Sequence, residues 1–407
     1  MEVLFPRCAG LDVHSRRVNA CMRVAAGRAV TTEHREFATT TAGLLELAAW
    51  LSEAGCTHVA MEATGVYWKP VWHVLEESFT LVLANAQHIR NVPGRKSDRN
   101  DAAWIADLLA HGLIRGSFVP PAPIQELRDL TRTRKQLVGE VARHTLRLQK
   151  TLEDANVKLT RVVSDILGVS GRAILAALIA GETDPERLAD CATGRLKAGR
   201  ADIVTAVHGR VTSHHRFLLK LHLAQIDALT AAVQQVEHQA DEVLRPFREA
   251  ADRLTTMPGV SETVARVIIS EIGVDMTQFP SAGHLVSWAG LCPRLDESAG
   301  KRRSTRIRHA TPWLKTALVQ AAWAATRKNG SYLQAQFRRL KGRRGPKKAI
   351  VAVAASMLTA AYFMLRDEKD YHDLGGRYLA DRDKHRVTQR LLRRLQDLGV
   401  EVEVKAA

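Results

Sequence analysis

Aromatic residues make up only 5% of this 407-residue chain, and there are just five cysteines. Cys8, Cys21, Cys56, Cys191 and Cys292 are scattered, with no two at the short spacing of a zinc pair. That supports neither a disulfide framework nor a zinc ribbon, and a reduced cytoplasmic compartment fits best. The N-terminus lacks a long apolar run with a small-residue cleavage site, so no signal peptide is expected. The apolar stretch over 349–365 is short for a membrane span and reads as a buried helix, with no membrane partner. Acidic residues are outnumbered: 43 Asp and Glu face 59 Lys and Arg, a net charge of +16. Such a surplus points to a polyanion, because neutralising phosphates releases condensed counterions. Nucleic acid is the first candidate. Trp and Tyr are few near the basic runs, so single-strand stacking is not specifically indicated.

What is present is an ordinary globular composition, 46% hydrophobic and 25% charged. Short apolar runs over 8–14, 17–24 and 30–37 read as strands. A helix follows over 42–54, with Leu44, Leu45, Leu47, Ala48 and Leu51 on one face. Then come a strand over 58–62, a helix over 66–77, a strand over 80–84 and a helix over 98–111. Three strands that can form a meander, followed by β-α alternation, predict a mixed sheet flanked by helices. Pro120, Pro121 and Pro123 mark a boundary, beyond which strand signals vanish.

The spacing predicts long helices over 124–159 and 217–244. In the second, Ile226, Leu229, Val233, Val236, Ala240 and Val243 form the seam of a coiled coil or an antiparallel helix pair. Residues 165–210 read as helical. A third region starts near Asp252, with helices over 261–272, 279–291 and 311–326, and the charged tail is helical around 387–398. The domains expected are 1–119 (α/β), 120–251 (helical, coiled coil), 252–365 (mostly helical) and 366–407 (basic tail).

Asp12 sits inside an apolar strand, where an unpaired charge is costly. Leu11 and Val13 point to the opposite face of the sheet. Glu62 ends a second apolar strand, and Asp98 and Asp101 lie three apart at the start of a helix, on one face. Each acid has an ordinary reading alone, and first-turn acids suit the helix dipole. Together, four acids on two strands and one helix can converge at one edge of a sheet. Such an oxygen cluster suits Mg²⁺, with Mn²⁺ a possible substitute, and two such ions can clamp a phosphodiester.

The segments Gly10-Leu-Asp12-Val-His14, Met61-Glu62-Ala-Thr-Gly65 and Lys96-Ser-Asp98-Arg-Asn-Asp101-Ala102 resemble the N-terminal domain of the DEDD transposases, the insertion-sequence-one-ten family. That domain has the ribonuclease-H-like fold of the Holliday-junction resolvase RuvC. The resemblance continues in Met257-Pro-Gly-Val260, which is similar to a helix-hairpin-helix, although Ser261 stands where a second Gly is frequent. It continues again in Ala289-Gly-Leu-Cys-Pro293, in residues 297–303 and in residues 312–322. It implies that Ser298, in a short Gly-containing loop, is a nucleophile. Lys301, Arg302, Arg303, Arg306 and Arg308 beside it suit a phosphate and its developing charge. A second basic run, with Arg343, Arg344, Lys347 and Lys348, contains Gly342 and Gly345 and reads as a phosphate-tracking loop. A third, over 390–394, lies in the tail.

The resemblance implies transposition of an insertion sequence by DNA cleavage and strand exchange. It also implies donor and target double-stranded DNA, a structured non-coding bridge RNA as guide, and a homo-oligomer, dimer to tetramer, pairing one subunit's acids with another's serine. Two rival readings remain at this point. A junction-resolving endonuclease of the same fold would hydrolyse DNA with water and need no serine. A non-catalytic nucleic-acid-binding protein would have no use for an intact acid set.

Overall fold

The computed structural model describes residues 2–27, 29–63, 65–84, 101–193, 198–293, 296–298, 300–304, 306–307, 312–382 and 384–400. The chain divides into two compact units, 1–119 and 120–407.

Unit 1 is built on a five-stranded mixed sheet of order β3-β2-β1-β4-β5. Strands β1 (Arg7–Val13), β2 (Arg17–Ala26) and β3 (Ala29–Ala38) form an antiparallel meander. Helix α1 (Thr41–Glu53) crosses over to β4 (His58–Glu62), and α2 (Trp68–Leu75) to β5 (Thr80–Ala84), both strands parallel to β1. Helix α3 (Asp101–Ala110) completes the unit. The mixed sheet with its helices agrees with the ribonuclease-H-like expectation. The alternation also holds where it matters. Leu11 and Val13 join the core with Leu44, Leu47 and Leu51 of α1 and Val71 and Leu75 of α2. Cys8 and Ala60, on the other face, pack with Ile105, Leu108 and Leu109 of α3. Burial pushes the thiols of Cys8 and Cys21 up to about 11 and that of Cys56 up to about 12. These sulfurs therefore behave as small protonated core groups.

Helix α3 lies close to the sheet because the residues between them are small: Gly10 and Cys21 below, Ala102 and Ala106 above. A Cβ on Gly10 would stand 2.1 Å from the Ala102 carbonyl oxygen and 2.4 Å from the Ala106 nitrogen. Both are backbone atoms, so relief requires moving the helix. Gly10→Ala is therefore expected to cost about 1–3 kcal/mol, the range for overpacking, and to shift Asp101 away from Asp12. Chemical denaturation of the variant checks this, and wild-type stability would mean that α3 is not seated as described.

Among its described residues, unit 2 is helical apart from one hairpin. Helices α4 (Ala122–Asp154) and α9 (Ser213–Leu244) run side by side. Arg134 pairs with Glu237, His144 with His222 and Asp154 with His215, so one number falls as the other rises and the pair is antiparallel. Desolvation, with His144 and Arg147 nearby, holds His222 below the usual histidine range, so it is a neutral polar rung near pH 7. At one end of the pair, α5 (Leu159–Val162), α6 (Val169–Ala180), α7 (Pro185–Asp190) and α8 (Arg200–Val207) form a small module. It shares a core with Leu148, Leu152, Leu219 and Ile226 of the long helices.

The other end carries α10 (Arg248–Thr255), α11 (Glu262–Ile272), α12 (Ala282–Trp288), α13 (Pro312–Ala325), α14 (Tyr332–Arg344) and α15 (Pro346–Arg366). Two short tail helices follow, α16 (Tyr378–Arg382) and α17 (Lys384–Asp397). Helix α15 is the apolar run of the sequence and is long and apolar enough to cross a membrane. More than half of that stretch is buried inside the protein, through residues such as Val353, Met357, Leu358 and Ala361.

Three expectations are corrected here. The helix expected over 279–291 begins only at Ala282, because Pro280 cannot sit within it and the Ser281 side chain caps its first turn. Strands do not vanish after Pro120: β6 (Asp296–Ser298) and β7 (Lys301–Ser304) pair as an antiparallel hairpin. The run from Arg338 is not a loop. It is the second half of α14, capped at Ser331 and stopped at Gly345, which has φ 77°. Its Gln, Arg, Lys and Leu residues are good helix formers, and a single glycine at 342 costs only about 1 kcal/mol.

Candidate active site

Register places the acids of unit 1. β1 and β4 are parallel, with Gly10 opposite Ala60 and Leu11 opposite Met61. Asp12 and Glu62 continue that register onto the α3 face of the sheet, since side chains alternate along a strand. Glu62 is the last residue of β4, half-buried, where the chain leaves the C-terminal edge of the sheet. Asp101 opens α3 and is also half-buried. Asp12 and Asp101 both line one open cavity of about 570 Å³. Glu62 stands one strand over from Asp12 and does not line that cavity. Asp98 lies outside the described residues. Among the described residues, no three His, Cys, Asp or Glu side chains come together as a metal-holding group.

Sequence reasoning missed the rest of this cavity wall. Arg17 and Asn19 come from β2, and His34, Arg35 and Glu36 from β3. Asn19 is the direct cross-strand partner of Asp12, and Arg17 holds Glu36 at 3.4 Å. His14, just past β1, brings Nε2 within 3.0 Å of Asp12 Oδ2. The signal for His14 was present, since residues i and i+2 along an extended chain share a face. The donor set of Asp12 and Asp101 is carboxylate oxygen in an open cavity. That chemistry fits a hard divalent cation and leaves room for a phosphate.

The hairpin of unit 2 gathers positive charge. Ser298 pairs with Lys301 and Glu297 with Arg302, with a bulge beside Asp296. Gly300 has φ 72°, a turn conformation that suits glycine. A bridge between Pro293 and Ile307 continues the pairing. Lys301 and Arg306 are exposed, while Arg302 and Arg303 lie in β7. Arg308 falls outside the described residues, as do the side chains of Ser298, Arg302 and Arg303. The hydroxyl of Ser304 accepts the Arg306 backbone N–H at 3.2 Å, so that serine is already engaged in turn geometry.

Beyond the hairpin, Arg343 and Arg344 end α14, and Lys347 and Lys348 begin α15 after Pro346, all exposed. Cations at a helix C-terminus suit the dipole, but Lys347 and Lys348 oppose it at the helix N-terminus. They are unfavourable for the helix and favourable for an anion, which such an N-terminus accepts readily. The turn between α10 and α11 is used for packing. Met257 is buried, Gly259 has φ 83°, and a Cβ there would meet the Ala321 carbonyl oxygen of α13 at 2.3 Å. Ser261 caps α11 with its side chain on the Val264 N–H.

Comparison with known proteins identifies the family of the chain. A DEDD transposase profile of the IS110 type, described as "Transposase", matches residues 9–157, spanning Asp12, Glu62 and Asp101. A second, "Transposase IS116/IS110/IS902 family", matches residues 251–338, spanning the hairpin. The chain is 26% identical over 307 residues to the 43.6 kDa protein of insertion element IS110 from Streptomyces coelicolor, covering 69% of this chain and 73% of that one. It is also 26% identical over 329 residues to the 42 kDa protein of insertion element IS900 from Mycobacterium paratuberculosis, covering 72% and 80%. A shorter match, 26% over 146 residues, is to the pilin gene-inverting protein of Moraxella bovis, covering 34% and 45%. The chain belongs to the IS110 family of transposases and is an enzyme of DNA transposition and recombination.

Proposed function

We propose that this transposase mobilises an insertion sequence using two sets of residues, a metal-holding carboxylate set and a serine nucleophile. The observation that carries the reading is that Asp12 and Asp101, far apart in sequence, line one cavity. In this reading Asp12, Glu62, Asp98 and Asp101 hold Mg²⁺, which Mn²⁺ can replace. An ion held by these carboxylates would polarise phosphate oxygens and neutralise their charge. Ser298 attacks the scissile phosphorus: its Oγ–P bond forms, a P–O bond to deoxyribose breaks, and the hydroxyl proton passes through solvent or a nearby base to the departing deoxyribose oxygen. The product is a phosphoserine linkage that retains the phosphodiester energy for rejoining to a new partner. Lys301, Arg302, Arg303, Arg306 and Arg308 hold the phosphate, while Arg343, Arg344, Lys347 and Lys348 follow the DNA backbone.

The family resemblance supplies two further parts of the proposal. A structured non-coding RNA selects donor and target, and subunits assemble so that one chain's acids serve another's serine. The surplus of 16 positive charges is compatible with a nucleic-acid load of both kinds. Sequencing the nucleic acid that copurifies with the protein tests the guide. A discrete RNA transcribed beside the gene is expected. Random fragments, together with specific DNA binding after ribonuclease treatment, would mean that protein alone reads the DNA.

A further inference from the structure

A cavity of about 220 Å³ opens in unit 2 between α4, α11 and α13. Its polar wall is Arg132, Arg134 and Lys135 of α4, Arg266 and Glu271 of α11, and Gln320 of α13. None of these belongs to the hairpin or to the α14–α15 junction. The rest of the wall is Trp313 with two threonines and with valine and alanine side chains.

The charges can be paired off. Arg132 binds the buried Glu271 carboxylate through two hydrogen bonds of 2.9 Å. Arg134 donates to Glu237 at 2.6 Å, and Arg266 donates through Nη2 to Asp241. Three guanidiniums thus meet three carboxylates. Lys135 has no ion-pair partner among the described residues and is the surplus charge. Arg266 is also incompletely satisfied. Its side chain is only 8% exposed, and its Nε is buried with no acceptor among the described residues. A buried donor of this kind requires an explanation, of which a missing ligand is one.

The aromatic wall narrows the class of ligand. The Arg132 guanidinium lies over the Trp313 ring, 5.6 Å from its centroid, a cation–π contact between two flat groups. Flat groups of this kind accept the face of a base. The volume is below the ~300–1,000 Å³ of pockets for drug-sized ligands, which suits one base and not a base pair. One surplus cation matches the single charge of a phosphodiester and not the several charges of a free nucleoside triphosphate. We propose that this cavity takes one unstacked nucleotide of a nucleic-acid strand. Its base lies against the Arg132–Trp313 pair, and its phosphodiester reaches Lys135 and Arg266 Nε. The proposal rests on the reading of this enzyme as one that handles nucleic acid. Its cations come mostly from α4, far in sequence from Trp313, so no basic-aromatic run advertised it.

The test uses the full chain, short single strands of DNA and RNA of one sequence, and the corresponding paired DNA duplex, read by fluorescence anisotropy. Lys135→Gln and Trp313→Ala are expected to weaken single-strand binding about tenfold and to leave duplex binding within about twofold. The strand type that shows the loss identifies the source of the nucleotide. Trp313→Phe keeps a stacking ring and is expected to restore most of the affinity, which a purely structural role would not distinguish. With 5-iodouracil in the affected strand, photocrosslinks are expected to map to Trp313. Equal losses on single strand and duplex would reduce the cavity to general electrostatics and overturn the proposal. So would unchanged single-strand binding, or crosslinks that map elsewhere. Wild-type protein that bound neither strand nor duplex would instead defeat the nucleic-acid reading itself, before any variant was compared.

Discussion

Asp12→Asn and Asp101→Asn are each expected to lower DNA strand cleavage by about a thousandfold or more, the scale of several kcal/mol of lost metal stabilisation. The amide has nearly the shape of the carboxylate, and both positions are only half-buried, so the fold is expected to survive. Each change removes one negative charge from a site that must receive a phosphate. DNA binding is therefore expected to stay intact or tighten slightly while cleavage is lost. A supercoiled-plasmid cleavage assay beside a gel-shift measurement reads both quantities. Cleavage at the wild-type rate in either variant would remove the carboxylates from the mechanism. Weakened binding in parallel with cleavage would mean that Asp12 or Asp101 organises the surface and not the reaction.

Ser298→Ala has an effect of a different kind. A hydrolytic nuclease passes the phosphate to water, so no protein–DNA bond forms at any stage. A serine recombinase holds the phosphate on its own oxygen between cutting and rejoining. Quenching wild-type reactions in denaturant is expected to give a DNA-linked protein band, with the adduct mapping to Ser298. Ser298→Ala is expected to lose that band and all strand exchange, with nucleic-acid binding unchanged. Ser304→Ala is the control. The Ser304 hydroxyl already accepts the Arg306 N–H, so its loss costs a turn contact and leaves cleavage largely intact. An adduct at Ser304 would move the nucleophile within the same hairpin. DNA cutting with no adduct in the wild type would make the enzyme a metal-dependent hydrolase.

The two halves of the chain were unequally legible. In unit 1 the strands are short continuous apolar runs, and the strands His58–Glu62 and Thr80–Ala84 fall where those runs lie. Asp12 stands out in the same way, as a charge in an apolar strand whose neighbours Leu11 and Val13 are buried. The cavity wall from β2 and β3 was not legible, because Arg17, Asn19 and Arg35 look like ordinary polar residues until the meander brings them beside Asp12. Hairpin Asp296–Ser304 carries almost no apolar residue, so its periodicity contains no strand signal. It is held by backbone pairing and a turn at Gly300. The basic end of α14 was misread for the opposite reason. Two glycines close together suggested a loop, although only Gly345 has the positive φ that ends a helix.

The antiparallel pair α4 and α9 also acts as a ruler. At about 1.5 Å per residue, the 33 residues of α4 span about 50 Å, equal to about fifteen base pairs at 3.4 Å each. Its first turns are fastened to α11, where Arg128 donates to the carbonyl oxygens of Ser270 and Glu271. Its last turns are fastened into the small module through Leu148 and Leu152. The module is thus held at a set distance from the hairpin-bearing end, more than one turn of a double helix away. That distance is measured in helical phase as well as in length. Removing seven residues from each of the two helices would draw the ends about 10 Å closer and keep nearly the same faces turned inward. Removing four would change the length less but turn the module about the stalk. For an enzyme that must meet nucleic acid at separated points, the stalk fixes how far apart those points lie and which way each faces.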